Sequence, residues 1–147
     1  MNIESLANHI CFDDIFKNNQ NKDGTYNWLN ISKIENLPTS FIDKYFYQIY
    51  VYRNLEKSGN LSNFIIKKYG NFLNWNILLM NQQVNEDLIE KFLQKFNFKI
   101  CIMFQDLSIK FLIKYKTKFN LKDLEKNANI SFETITLFKA YLEEEDK

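Results

Sequence analysis

The stretch Leu61-Ser62-Asn63-Phe64-Ile65-Ile66-Lys67-Lys68-Tyr69 decides the fold, because it comes back along the chain. It returns as Val84-Asn85-Glu86-Asp87-Leu88-Ile89-Glu90-Lys91-Phe92 and as Leu107-Ser108-Ile109-Lys110-Phe111-Leu112-Ile113-Lys114-Tyr115. Leu37-Pro38-Thr39-Ser40-Phe41-Ile42-Asp43-Lys44-Tyr45 precedes it, and a weaker fifth copy runs from Ile130 through Ser131, Thr134 and Ile135 to Phe138. The starts at 37, 61, 84, 107 and 130 give a period of about 23 residues with one insertion. Self-similarity at such a period marks a repeat architecture, in which no single unit can bury its own apolar face.

Working outward from each start, a large apolar residue lies nine positions earlier: Trp28, Tyr52, Trp75, Phe98 and Leu121. Three residues on come Ile31, Leu55, Leu78, Cys101 and Leu124, so each unit opens with a short helix that has one apolar face. In the second half of the unit, Phe41, Ile65, Leu88, Phe111 and Thr134 form one column and Ile42, Ile66, Ile89, Leu112 and Ile135 the next. They precede the aromatic column Tyr45, Tyr69, Phe92, Tyr115 and Phe138 by four and three residues, and Ile49, Leu73, Phe96, Phe119 and Leu142 follow four later. That pattern predicts a second amphipathic helix of about three turns.

Capping residues bracket both helices. Ser62, Asn85, Ser108 and Ser131 stand where a side-chain oxygen can accept from free backbone N–H groups, and Pro38 suits a first helical turn. Asn27, Asn74, Asn97 and Asn120 hold the place before the first helix, with Val51 the exception. The fold predicted is all-α: an α-solenoid of about five short helix-turn-helix repeats with an N-terminal capping helix, one domain overall. Residues 1–26 are cap and linker, with Ser5, Leu6, Ile10, Ile15 and Phe16 on an amphipathic helix and a polar stretch over 18–27. Residues 27–142 form the array, and 143–147 an acidic solvated tail.

Composition agrees and excludes several classes. A chain of 147 residues, 46% hydrophobic and 25% charged, fits one globular domain rather than a disordered chain. Gly 3 and Pro 1 leave few turn residues for a many-stranded sandwich or barrel. A formal net charge of +1, with Arg53 the only arginine, argues against a dedicated nucleic-acid binder. Cys11 and Cys101 form neither a disulfide framework nor a zinc set and read as buried, reduced thiols. The start lacks a basic and apolar leader, and the longest apolar runs fall well short of the roughly 20 residues that span a bilayer. The expected location is the host cytoplasm or a virion, with no membrane contact. The abundance of Lys, Asn, Ile, Phe and Tyr is typical of an AT-rich genome.

The pattern W-x-x-I followed by L-S-x-x-F-I-x-K-Y resembles the short tandem repeats found in uncharacterised proteins of bacteriophages, large DNA viruses and low-GC bacteria. The resemblance covers residues 27–142 and departs from the pattern at Pro38, Val51, Thr134 and Leu137. It implies a helical array of viral or mobile-element origin and carries no catalytic residues.

Four features invite a functional reading. Asn19-x-Asn21-x-Asp23-Gly24 echoes half of a calcium loop, but Asn30 stands where the bidentate Glu belongs, which favours an ordinary turn. His9, the sole histidine, has Asp13 and Asp14 one turn away and no further partner for acid–base work. Lys44, Lys68, Lys91 and Lys114 recur in phase and form a column that an anionic partner such as nucleic acid would follow, although Asp43, Glu86, Asp87 and Glu90 lie beside it. Finally, Leu79 and Ile102 replace Ser32, Glu56 and Glu125, Met80 and Met103 replace Lys33, Lys57 and Lys126, and Phe104 replaces Ser58, Asn81 and Asn127. Ile109 and Ile113 are a smaller feature of the same kind. The reading is a non-enzymatic protein-interaction scaffold, without cofactor, metal or small-molecule substrate. It would bind a host or virion protein, or a second copy, through Leu79, Met80, Ile102, Met103, Phe104, Ile109 and Ile113. Trp28 and Trp75 are assigned to the core rather than to base stacking.

Overall fold

A computed structural model describes residues 11–34, 36–51 and 55–145. They fold into short helices in chain order, with no strand among the described residues. The only bridge there is the isolated pair Gln20 and Tyr26. Helix α1 (Phe12–Lys17) precedes the first unit, α2 (Trp28–Ser32), α3 (Thr39–Lys44) and α4 (Phe46–Tyr50). The second unit holds a 3-10 turn (Leu55–Ser58) and α5 (Asn63–Tyr69). The third holds α6 (Trp75–Asn81) and α7 (Glu86–Lys91), and the fourth α8 (Phe98–Phe104) and α9 (Ile109–Lys114). The fifth is α10 (Leu121–Leu124) with α11 (Phe132–Glu145).

The caps form where the sequence places them. Asn27, Asn74, Asn97 and Asn120 accept from Asn30, Ile77, Lys99 and Asp123 backbone N–H groups; Ser62, Asn85, Ser108 and Ser131 do so for Ile65, Asp87, Phe111 and Thr134. Unit two, where Val51 replaces the Asn, has the 3-10 turn in place of an α-helix among its described residues.

The five unit starts Leu37, Leu61, Val84, Leu107 and Ile130 are all buried, as are Ile31, Leu55, Leu78, Cys101 and Leu124 of the first helices. Neighbouring units pack like with like. The turn Leu55–Ser58 meets α6, α6 meets α8 and α8 meets α10, while α3 meets α5, α5 meets α7 and α9 meets α11.

Three expectations change. The second helix is not one three-turn rod: units one, three and four break it at Tyr45, Phe92 and Tyr115, whose φ lies between −113° and −119° and ψ between 17° and 27°. A straight rod of eleven residues would carry the chain about 16 Å from its start. The break brings it back to the next first helix or turn, only four to seven residues long. In the last unit α11 runs unbroken for 14 residues. The acidic segment is therefore no tail through Glu145: Glu143 to Glu145 belong to α11, and Glu145 accepts from Lys116 and from Tyr141 Oη at 2.6 Å. Of the capping helix, Ile15 is buried and Phe16 packs on Trp28, Phe41 and Tyr45, while Ser5, Leu6 and Ile10 lie outside the described residues. Cys101 is buried as expected, but Cys11 is exposed.

Candidate functional site

Side-chain hydrogen bonds between distant residues repeat at one-unit spacing, and they organise every surface of the stack. Gln105 is fully buried; its Nε2 donates to the carbonyls of Leu79 at 2.6 Å and Gln82 at 2.9 Å, and its Oε1 accepts from Val84 N at 2.8 Å. Gln82, one unit back, grips Leu61 through both its N–H (2.8 Å) and its carbonyl (2.9 Å). Asn127, buried in unit five, donates to the carbonyls of Ile102 and Gln105, both at 2.7 Å. From unit three onward an amide thus reaches back into the preceding inter-helix loop, satisfying polar groups that packing takes out of water. Sequence reasoning passed over this ladder, although Gln82 and Gln105 stand 23 apart in phase.

The apolar face loses two members. Leu79 and Ile102 are fully buried in the core cluster, so neither belongs to an exposed surface. The position is an interior one in units one to four: Ser32 and Glu56, in the same column, are equally buried, with Ser32 Oγ donating to Leu29 O and Glu56 Oε1 accepting from Asn74 N, and only Glu125 of unit five is exposed. Ile109 and Ile113 are half-buried against the core. In the register that pairs Asp43 with Lys68 and Glu90 with Lys114, the corresponding residues of α9 and α11 are Ile113 and the exposed Leu137, so no ion pair forms at these positions. What stays at the surface is Met80, exposed, with Met103 and Phe104 half-buried and outside the core cluster. Met80 and Met103 hold equivalent places on the packed helices α6 and α8, and exposed Lys57 and Lys126 flank them in that column.

The lysine column is largely occupied from within. Lys68 Nζ lies 2.7 Å from Asp43 Oδ1, and Lys114 Nζ 2.8 Å from Glu90 Oε1. The hydrogen bond from Lys68 holds the Asp43 carboxyl below its usual range and in return raises Lys68; Glu90 raises Lys114. Tyr69 Oη also donates to Asp43, and burial leads the upward shift of its phenol. Lys44, Lys91 and Lys114 each sit over the aromatic ring that follows them, at 5.1–5.3 Å from its centroid. A column with half its charges neutralised is a poor track for a polyanion.

The calcium-like loop is a self-contained turn. Asp23 Oδ1 accepts from Thr25 N and Oγ1, Gly24 takes φ 84°, and Asn30 sits inside α2. No set of three or more metal-ligating side chains occurs among the described residues. Asp13 and Asp14 are exposed on α1, and His9 lies outside the described residues. Burial, aided by the charge of Glu86, pushes the Cys101 thiol up to about 12, which leaves it unreactive at neutral pH. No helix among the described residues is long and apolar enough to cross a membrane. Comparisons with family models, with curated proteins and with solved structures find no match to this chain.

Proposed function

We propose that the chain is an α-solenoid of five short helix pairs acting as a non-enzymatic protein-interaction scaffold, of viral or phage origin, that binds a host or virion protein or a second copy of itself. The observation that carries this reading is the placement of Met80, Met103 and Phe104 outside the core on α6 and α8, between flanking lysines. Flexible methionines adapt to a partner's shape, and an apolar centre with a charged rim is the usual anatomy of an interface. The remaining polar inventory favours binding over chemistry, because the buried amides and most of the carboxylates described above are engaged in holding one unit to the next. The repeat pattern supports the viral or phage origin.

Light scattering of the purified chain over a range of concentration and salt, repeated with Met80→Glu/Met103→Glu, tests the reading. Salt-resistant association of the wild type that the double variant loses at unchanged helicity assigns the face to self-association. A wild-type monomer directs the face to a different protein, captured from host extract by the wild type and not by the variant. Capture that survives the double substitution, or unfolding of the variant, contradicts the proposal.

A further inference from the structure

In the row of second helices, the lysine of each unit reaches back to the residue just before its predecessor's lysine. That residue is Asp43 for Lys68 and Glu90 for Lys114. At the junction between α5 and α7 it is Lys67, and Lys91 Nζ, besides lying over the Phe92 ring, meets the Lys67 carbonyl at 3.5 Å rather than a carboxylate. Two lysines therefore line this junction, where the α3–α5 and α7–α9 junctions each hold an ion pair. The same junction opens into a groove of about 350 Å³ whose lining includes Phe64, Lys67, Asp87, Leu88 and Lys91. Phe64, 54% exposed, takes the place of Ser40 and Lys110 in sister units, so neither this ring nor Lys67 is demanded by the repeat.

We propose that this groove binds a peptide segment of a partner protein that carries a single carboxylate flanked by apolar side chains. The carboxylate lies between Lys67 and Lys91, where Asp43 and Glu90 serve the sister junctions, and the apolar neighbours lie against Phe64 and Leu88. Asp87 lines the groove and repels a second negative charge, which selects one carboxylate over an acidic run. It also disfavours nucleic acid, whose successive phosphates would meet Asp87 and then the neutralised Lys68 and Lys114. The proposal rests on the scaffold reading but uses a different surface, so its failure leaves the Met80–Met103 face to stand or fall on its own test.

The experiment is an amide-resolved NMR titration of the full chain with acetyl-Leu-Glu-Leu amide and its neutral counterpart acetyl-Leu-Gln-Leu amide. The acidic peptide shifts the amides of Phe64, Lys67, Leu88 and Lys91 and binds at least about tenfold more tightly than the neutral one. Lys67→Glu restores the internal pair with Lys91, keeps the spectrum elsewhere and abolishes the acidic peptide's effect. Absent shifts, equal shifts with both peptides, shifts mapping to another surface, or binding unchanged in Lys67→Glu overturn the proposal. So does a single-stranded oligonucleotide that occupies the groove more tightly than the peptide.

Discussion

Between the first two units the contact is aromatic: the rings of Phe46 and Tyr69 stack at 3.8 Å with an interplanar angle of 3°, and Asp43 takes bonds from Tyr69 and Lys68. Between units three, four and five it is the buried amides of Gln105 and Asn127 that cross. Unit two has Gly59 where units three and four have Gln, and a side chain does not fit there: φ is +69°, and a Cβ would lie 2.9 Å from the Asn81 carbonyl oxygen. The difference teaches that neighbouring units are joined by different means: side-chain amides answer the loop polar groups from unit three onward, whereas rings and an exposed ion pair serve at the first junction.

Substitutions sharpen or break that comparison. Gln105→Leu removes three bonds, two of them buried, and leaves two carbonyls and an N–H without that partner, so it costs about 3 kcal/mol in thermal or urea denaturation. Gln82→Leu strands only the half-buried pair at Leu61 and costs less; equal losses would break the distinction. Gly70→Ala places a Cβ 2.5 Å from the ring of Phe92, which stacks on Trp75, and costs about 1–3 kcal/mol by the same measurement. Ser108→Ala loses the cap to Phe111 N and the bond to Glu86, about 1 kcal/mol.

The smallest effect is the exposed pair at the first junction. Asp43 has its carboxyl lowered by Lys68, so the pair stabilises above the ordinary Asp value of about 3.9 and is lost as pH falls through the lowered one. Lys68 is raised by Asp43, so the contribution is complete below the ordinary Lys value of about 10.4 and disappears as pH rises through the raised one. The difference in Tm between wild type and Asp43→Asn is expected to be small, flat from about pH 5 to 10, and to shrink on both sides.

Much of this was legible in the residues. The caps and the buried columns followed from phase, because a capping oxygen and a core side chain act locally. The break at Tyr45, Phe92 and Tyr115 was not, since apolar residues continue at i+4 through it and helical periodicity does not register a change of direction. Leu79 and Ile102 mislead because polar sister residues suggest a wet position; yet Ser32 and Glu56 are buried, Ser32 Oγ donating to Leu29 O and Glu56 holding Asn74 N through one oxygen while its other, Oε2, has no hydrogen-bond partner among the described residues. Gln82 and Gln105 stand in phase, but their role escapes the sequence, which does not show which loops are covered. The two cysteines separate cleanly in the structure: a thiol reagent on the native protein is expected to modify exposed Cys11 at once and Cys101 only on unfolding.

Hydrogen exchange on the native protein tests the stacking account most directly, at the loop N–H groups of Val84 and Leu61. Each is bonded only through a glutamine of the next unit, Gln105 and Gln82. The account predicts that Val84 N–H is protected as strongly as the helices beside it and loses that protection in Gln105→Leu, with Leu61 protected less. Free exchange of Val84 in the wild type while α6 and α8 stay protected would contradict it.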